Sequence, residues 1–146
     1  VAGPAFAFDL DAALADTRPL WDAWLEDAAR RARVELDVPA DRTEAAAVLD
    51  EALGDWRPLL ERFAADRAPV FFRPRPNTNA LLRRLRAGGA RLAAFTDAPR
   101  ELAALALAHA GAARYVETVG TLDEVLAALG DEAVVVRSRE ELAGLR

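Results

Sequence analysis

Apolar residues gather in short continuous blocks near the start and through the second half of the chain, with helical spacing between those regions. Ala5, Phe6, Ala7 and Phe8 form one such block, cut off by Asp9, Leu10 and Asp11. An apolar run that stops at acids predicts a strand buried on both faces, with its C-terminal end available for function. Asp16, Thr17 and Pro19 then give a helix-start signal, since proline is tolerated in a first turn. Over 20–33, Leu20, Trp21, Trp24, Leu25, Ala28 and Ala32 recur on one helix face. Residues 38–41 break the pattern, and Asp41 with Glu44 predicts a capped second helix reaching about position 53. Gly54 closes it, and Leu59, Leu60 and Phe63 predict a short third helix over 56–65.

The segment 68–76 holds three prolines and is expected to be irregular, the return from an inserted helical unit. Leu81, Leu82 and Leu85 predict a helix over 77–87, stopped by Gly88 and Gly89. A second buried strand is expected at 91–95, ending at Thr96 and Asp97, and a helix runs from Pro99 to about 110, stopping at Gly111. A third strand is expected at 115–119 and a fourth at 133–136. Thr121 with Glu124 is a capping box for a helix over 122–129, and Ser138 with Glu141 caps a terminal helix. Strands alternating with helices predict an α/β protein, a Rossmann-like three-layer parallel sheet with helices on both faces. The expected core is 1–18 with 74–146, and 19–73 is the helical insertion.

Composition narrows the classes. The 146 residues contain no cysteine, which excludes disulfides and thiolate metal sites and agrees with a cytoplasmic location. No apolar run approaches the ~20 residues that span a bilayer, and 1–8 lacks the basic region of a signal peptide. A formal charge of −5 argues against general nucleic-acid binding. The chain has no lysine and no methionine but is rich in Ala, Arg and Leu, the bias of a GC-rich genome.

Candidate chemistry lies at the strand ends, where open α/β sheets place their sites. Asp9 and Asp11 follow the first strand and Thr96 the second. One carboxylate of such a pair can attack phosphorus while the other protonates the leaving oxygen. A threonine hydroxyl and helix-start N–H groups can hold phosphate oxygens. Acids after strands are also common caps, and Asp97 most simply caps the helix after Thr96.

The local sequence adds to this. FDLDAALADT at 8–17 resembles the first motif of haloacid dehalogenase-superfamily phosphatases, FDLDGTLVDT. AFTDAPRE at 94–101 resembles their second motif, a strand ending in Thr or Ser. The helical segment 20–66 falls where phosphoglycolate phosphatase-like members insert a small cap. RPNTNALLRRLRAGG at 75–89 resembles their return helix. The resemblance implies a fold of this type, with Asp9 as nucleophile, Asp11 as acid/base, and Asp9 and the Asp11 backbone carbonyl on Mg²⁺. It also implies phosphate binding by Thr96, beside which Asp97 is a further candidate for the phosphate site.

Departures from the family pattern are as informative. Ala12 and Ala13 replace the Gly and Thr of the first motif. The third-motif lysine is absent, and no arginine lies on 116–121, where a substitute is expected. The fourth-motif acid is absent too, because the corresponding strand reads VVVRS at 134–138. Either that motif decayed in place, or the third and fourth motifs were deleted; the second is favoured, since DEAVVVRSREEL at 131–142 resembles the family's terminal segment. In both cases the last strand is expected beside the first, aiming Arg137 at Asp9 and Asp11 and at any bound phosphate. Glu140 or Glu141 could reach back as a replacement ligand, although acids at a helix start are expected for capping.

The expected function is therefore a degenerate member of the family that acts by binding a ligand or protein. The alternative is a working Mg²⁺-dependent phosphatase on a small phosphomonoester. Expected partners are a small phosphorylated molecule or a protein, a second copy of the chain included; nucleic acid and membrane are not expected. Trp21, Trp24 and Trp56 are read as core rather than an entrance or dimer contact, and His109 as a cation at a helix end. Arg83, Arg84 and Arg86 are read as a solvated face, whereas Arg73 and Arg75 could face the cleft.

Overall fold

The alternation of apolar blocks and helices folds as four parallel strands with helices packed on both faces. The computed structural model describes residues 3–145; the expected core limits at 1 and 146 lie outside the described residues. The strands β1 (Ala5–Asp9), β2 (Arg91–Phe95), β3 (Thr118–Gly120) and β4 (Val134–Val136) lie in the order β3-β2-β1-β4. Phe8 pairs with Ala94 on one side and Val136 on the other, so the last strand does lie beside the first. Strand order therefore reverses around β1, which puts the end of β1 at the place where sheets of this kind open a crevice.

The helices are α1 (Arg18–Ala32), α2 (Arg42–Leu53), α3 (Arg57–Phe71), α4 (Pro76–Ala87), α5 (Arg100–Ala110), α6 (Leu122–Leu129) and α7 (Arg139–Ala143). The capping pairs expected for α2, α6 and α7 are all formed. Asp41 accepts from the Thr43 and Glu44 N–H groups, Thr121 and Glu124 cap each other, and Ser138 accepts from the Glu141 N–H.

Side chains alternate across the sheet, and the two faces are covered unequally. Phe6, Phe8, Leu92, Ala94 and Val136 point into one large cluster shared with α1–α5 and α7. Ala7, Ala93, Phe95 and Val135 on the other face meet only the apolar side of α6, through Leu122, Val125, Leu126 and Leu129. Trp21, Trp24 and Trp56 are buried against one another, with ring centroids 5.4–6.1 Å apart. Their cluster is continuous with the residues under the sheet, so α1–α3 and the strands share one core. The Trp56 indole N–H satisfies itself on Asp50 at 2.8 Å.

Three expectations need correction. The third helix does not stop at 65, and 68–76 is not wholly irregular, because α3 continues through Pro69 to Phe71. Pro69 sits in the final turn, where a proline forfeits one hydrogen bond and crowds one carbonyl. Burial of Ala64, Ala68 and Phe72 offsets that cost, and the Phe72 N–H closes the helix on the Ala68 carbonyl at 2.8 Å. The third strand starts later than 115, since Ala113–Tyr115 form a tight 3₁₀ turn that binds the Tyr115 N–H to the Ala112 carbonyl. Finally, Leu10–Leu14 form a single wide helical turn of π type, which the apolar pattern did not suggest. Among the described residues no helix is long and apolar enough to cross a membrane.

Candidate functional site

At the C-terminal ends of β1 and β2 the chain leaves a cleft of about 530 Å³, lined by Asp9, Asp11, Asp16, Asp41 and Asp97 with Arg18 at its edge. The π turn after β1 shapes its floor. Its i→i+5 hydrogen bond, Ala15 N–H to the Leu10 carbonyl at 2.7 Å, widens the turn. Turns of this kind recur at functional sites because they re-aim one side chain. Here Asp9 stays at the strand end and accepts from the Ala12 N–H at 3.2 Å, while Asp11 turns back under α1.

Asp11 is held on every side. One of its oxygens accepts from the Thr17 N–H at 2.8 Å and from the Thr17 hydroxyl. The other accepts from the Thr96 hydroxyl at 2.8 Å and from Arg42 Nη2 at 2.8 Å. A carboxylate offers about four acceptor positions, so none is left for a further ligand. Thr96 in turn accepts the Ala98 N–H at 3.1 Å, which closes the turn after β2.

The residue at the centre is Arg42, which the sequence reading did not single out. It is 1% exposed although it carries a full charge. Its Nε and Nη2 both donate to Asp97, at 3.0 and 2.9 Å, its Nη1 donates to the Thr17 hydroxyl at 2.6 Å, and its backbone N–H donates to Asp97 at 2.9 Å. One guanidinium thus joins the π turn, the start of α1, the turn after β2 and the start of α2. Arg18 reaches the same Asp97 oxygen from the rim at 3.4 Å. Burial by itself would raise the Asp97 carboxyl; the Arg42 backbone and side-chain hydrogen bonds, with the charges of Arg42 and Arg18, outweigh it and hold Asp97 below the usual aspartate range. A cation in the first turn of a helix opposes the helix dipole, and Arg42 immediately after the N-cap Asp41 is the one sign of this role in the sequence.

Two site expectations are corrected by this geometry. Asp97 does not cap α5, whose N-cap Pro99 has no side-chain cap; its carboxylate is turned toward Arg42, because pairing a buried guanidinium outweighs satisfying one solvent-accessible N–H. Arg137 does follow the strand beside β1, yet no ion pair joins it to Asp9 or Asp11 among the described residues. Its guanidinium lies over the Phe95 ring, 5.9 Å from the centroid, on the side of the sheet covered by α6. Glu141 binds the Arg137 N–H at 2.7 Å and so acts as a cap. Arg73 and Arg75 border a separate hollow with Leu14, Asp16 and Phe72. The site therefore brings together Asp9, Asp11, Thr96 and Asp97, adds Thr17 and Arg42, and leaves Arg137 at its margin.

Mg²⁺ demands near-octahedral oxygen coordination. The resemblance would give it the Asp9 carboxylate and the Asp11 backbone carbonyl; the Asp11 carboxylate oxygens are taken by Thr17, Thr96 and Arg42. Among the described residues no three acidic or imidazole groups gather in a way that could hold a metal. No family model matches the chain, and no curated protein matches it.

Proposed function

We propose that this protein is a degenerate relative of the haloacid dehalogenase-superfamily phosphatases, one that binds a ligand or protein partner and turns over phosphomonoesters weakly or not at all. The observation that supports this reading most is the capture of Asp11 by Thr17, Thr96 and Arg42. An acid/base residue must reach the leaving oxygen, and a carboxylate with all its acceptor positions filled is not free to do so. Charge points the same way. Phosphoryl transfer depends on positioning and on neutralising negative charge, whereas Arg42 is balanced by Asp11 and Asp97. Asp9, Asp16 and Asp41 then face an incoming phosphate with Arg18 as the cleft's remaining cation.

One observation favours the second reading, an active phosphatase on a small phosphomonoester. Asp9 lies at the cleft, accepting the Ala12 N–H, and faces the space a substrate would enter, as a nucleophile must. Hydrolysis of p-nitrophenyl phosphate, with and without Mg²⁺, separates the two readings when the native chain is compared with Asp9→Asn. The expected result is no turnover above the variant's level. Metal-dependent turnover abolished by Asp9→Asn would establish the phosphatase instead.

A further inference from the structure

Beyond the cleft, the helical part of the chain holds a second hollow. About 960 Å³ lies open between α1 and α3, and none of the residues lining it borders the cleft at the strand ends. Buried Trp24 and Ala28 form its floor, and Leu59 and Phe63 its α3 side. Alanines at 32, 52 and 65 leave the space unfilled, because each contributes only a methyl group. We infer that this groove binds a small amphiphile with an anionic head, a medium-chain carboxylate, with its apolar chain against Trp24, Ala28 and Phe63 and its carboxylate on the Arg62 guanidinium.

Size and lining point to such a ligand. Sites for small molecules enclose roughly 300–1,000 Å³ and combine a mainly apolar wall with a few polar groups that fix orientation. Leu59 and Val34 stand 49% and 39% exposed at the groove, apolar surface that a bound chain would remove from water. Charge sets the head group. The lining carries three arginines, Arg31, Arg62 and Arg67, against two aspartates, in a chain whose net charge is −5. Both aspartates are engaged: Asp27 pairs with Arg30 at 3.1 Å and Arg31 at 2.9 Å, and Asp66 with Arg67 at 3.7 Å. Arg62 joins no ion pair among the described residues. One guanidinium fork is therefore left over, the group that takes a carboxylate through two parallel hydrogen bonds. A second copy of the chain fits less well. Val34 and Leu59 are the large apolar side chains exposed there among the described residues, a small part of the ~800 Å² per partner that a stable protein pair buries.

Isothermal titration calorimetry with octanoate, decanoate and dodecanoate, each below its micelle concentration, tests the site in the native chain, Arg62→Gln and Ala32→Trp. Ala32 is exposed, so its replacement fills the groove without disturbing the core. The native chain is expected to bind each carboxylate, about threefold tighter for every added methylene. Arg62→Gln should weaken octanoate by about tenfold while leaving octanol unchanged, and Ala32→Trp should abolish the binding of both. The proposal is overturned by a native chain that binds none of the carboxylates at millimolar concentration, or by binding that neither variant alters. A native dimer in sedimentation equilibrium that Ala32→Trp splits would overturn it too, making the groove a contact between copies. Retention on phosphatidylglycerol vesicles without uptake of free carboxylate would replace it with a membrane-facing surface.

Discussion

Asp9 and Asp11 leave the same strand two residues apart and end in opposite circumstances. Asp11 is locked by Thr17, Thr96 and Arg42, whereas Asp9 faces the cleft and accepts the Ala12 N–H. The π turn produces the difference: an added residue in one turn sends the second carboxylate inward beneath α1 while the first stays at the rim. One half of the cleft is thereby built like a core, charged but fully paired, and the other half like a surface. A motif of two acids in the sequence is therefore not one functional unit here. The inward acid is paired with groups of the fold itself, and the outward one is left facing the cleft.

The widest gap between the halves is expected in their stability. Arg42→Ala leaves Asp11 and Asp97 as poorly compensated charges and the Thr17 hydroxyl without its donor. Removing one partner of a buried ion pair costs about 3–5 kcal/mol, and urea unfolding should register a loss of that order. A loss below about 1 kcal/mol would mean that the inner half is no more than a surface ion pair.

Acid should separate the halves next. Because the folded Asp97 carboxyl is held below its unfolded value, its contribution is fully present above the ordinary aspartate range near about 4. It is lost as pH falls through that range and the lower folded value. Urea midpoints measured from neutral pH down to about 3 should therefore fall less for Asp97→Asn than for the native chain. Equal slopes would remove Asp97 from the account. The smallest effect is expected at the outer acid. Asp9→Asn keeps an oxygen for the Ala12 N–H, as Asn and Asp are near-equal caps, so its stability should stay within about 0.5 kcal/mol of native. A larger loss would show that Asp9 is also structural.

A second contrast lies between the faces of the sheet. The α1–α5 and α7 side holds the aromatic residues Phe6, Phe8, Trp21, Trp24 and Trp56 in one cluster, while the other side is closed by α6 alone. Arg137 falls on the thin side, over Phe95, which is why proximity in sheet order did not bring it to Asp11. Adjacent strands fix which residues are neighbours, but alternation along the strand decides the face each one serves. Phe8 and Val136 are paired and point the same way, so Arg137, one residue later, points the other.

Much of the fold was legible because its signals are local. The apolar block of β1 ended where the acids began, and Asp41, Thr121 and Ser138 each announced the helix they cap. Burial of Trp21, Trp24 and Trp56 followed from their spacing on helix faces. Local signals misled where packing reversed a preference, as at Pro69, whose helix is completed by the burial of Ala68 and Phe72. Among the candidate site residues, Asp9, Asp11 and Thr96 could be placed together because each ends a parallel strand.

The chain's own order thus determined the α/β alternation, the strand ends and the residues gathered there, since hydrophobic period and capping act over a few positions. Only the tertiary structure decided what those residues do to one another. Arg42 meets Asp11 across 31 positions and Asp97 across 55. No local preference encodes such a meeting, because its energy exists only once folding has removed water from around the charges and left each the other as its partner.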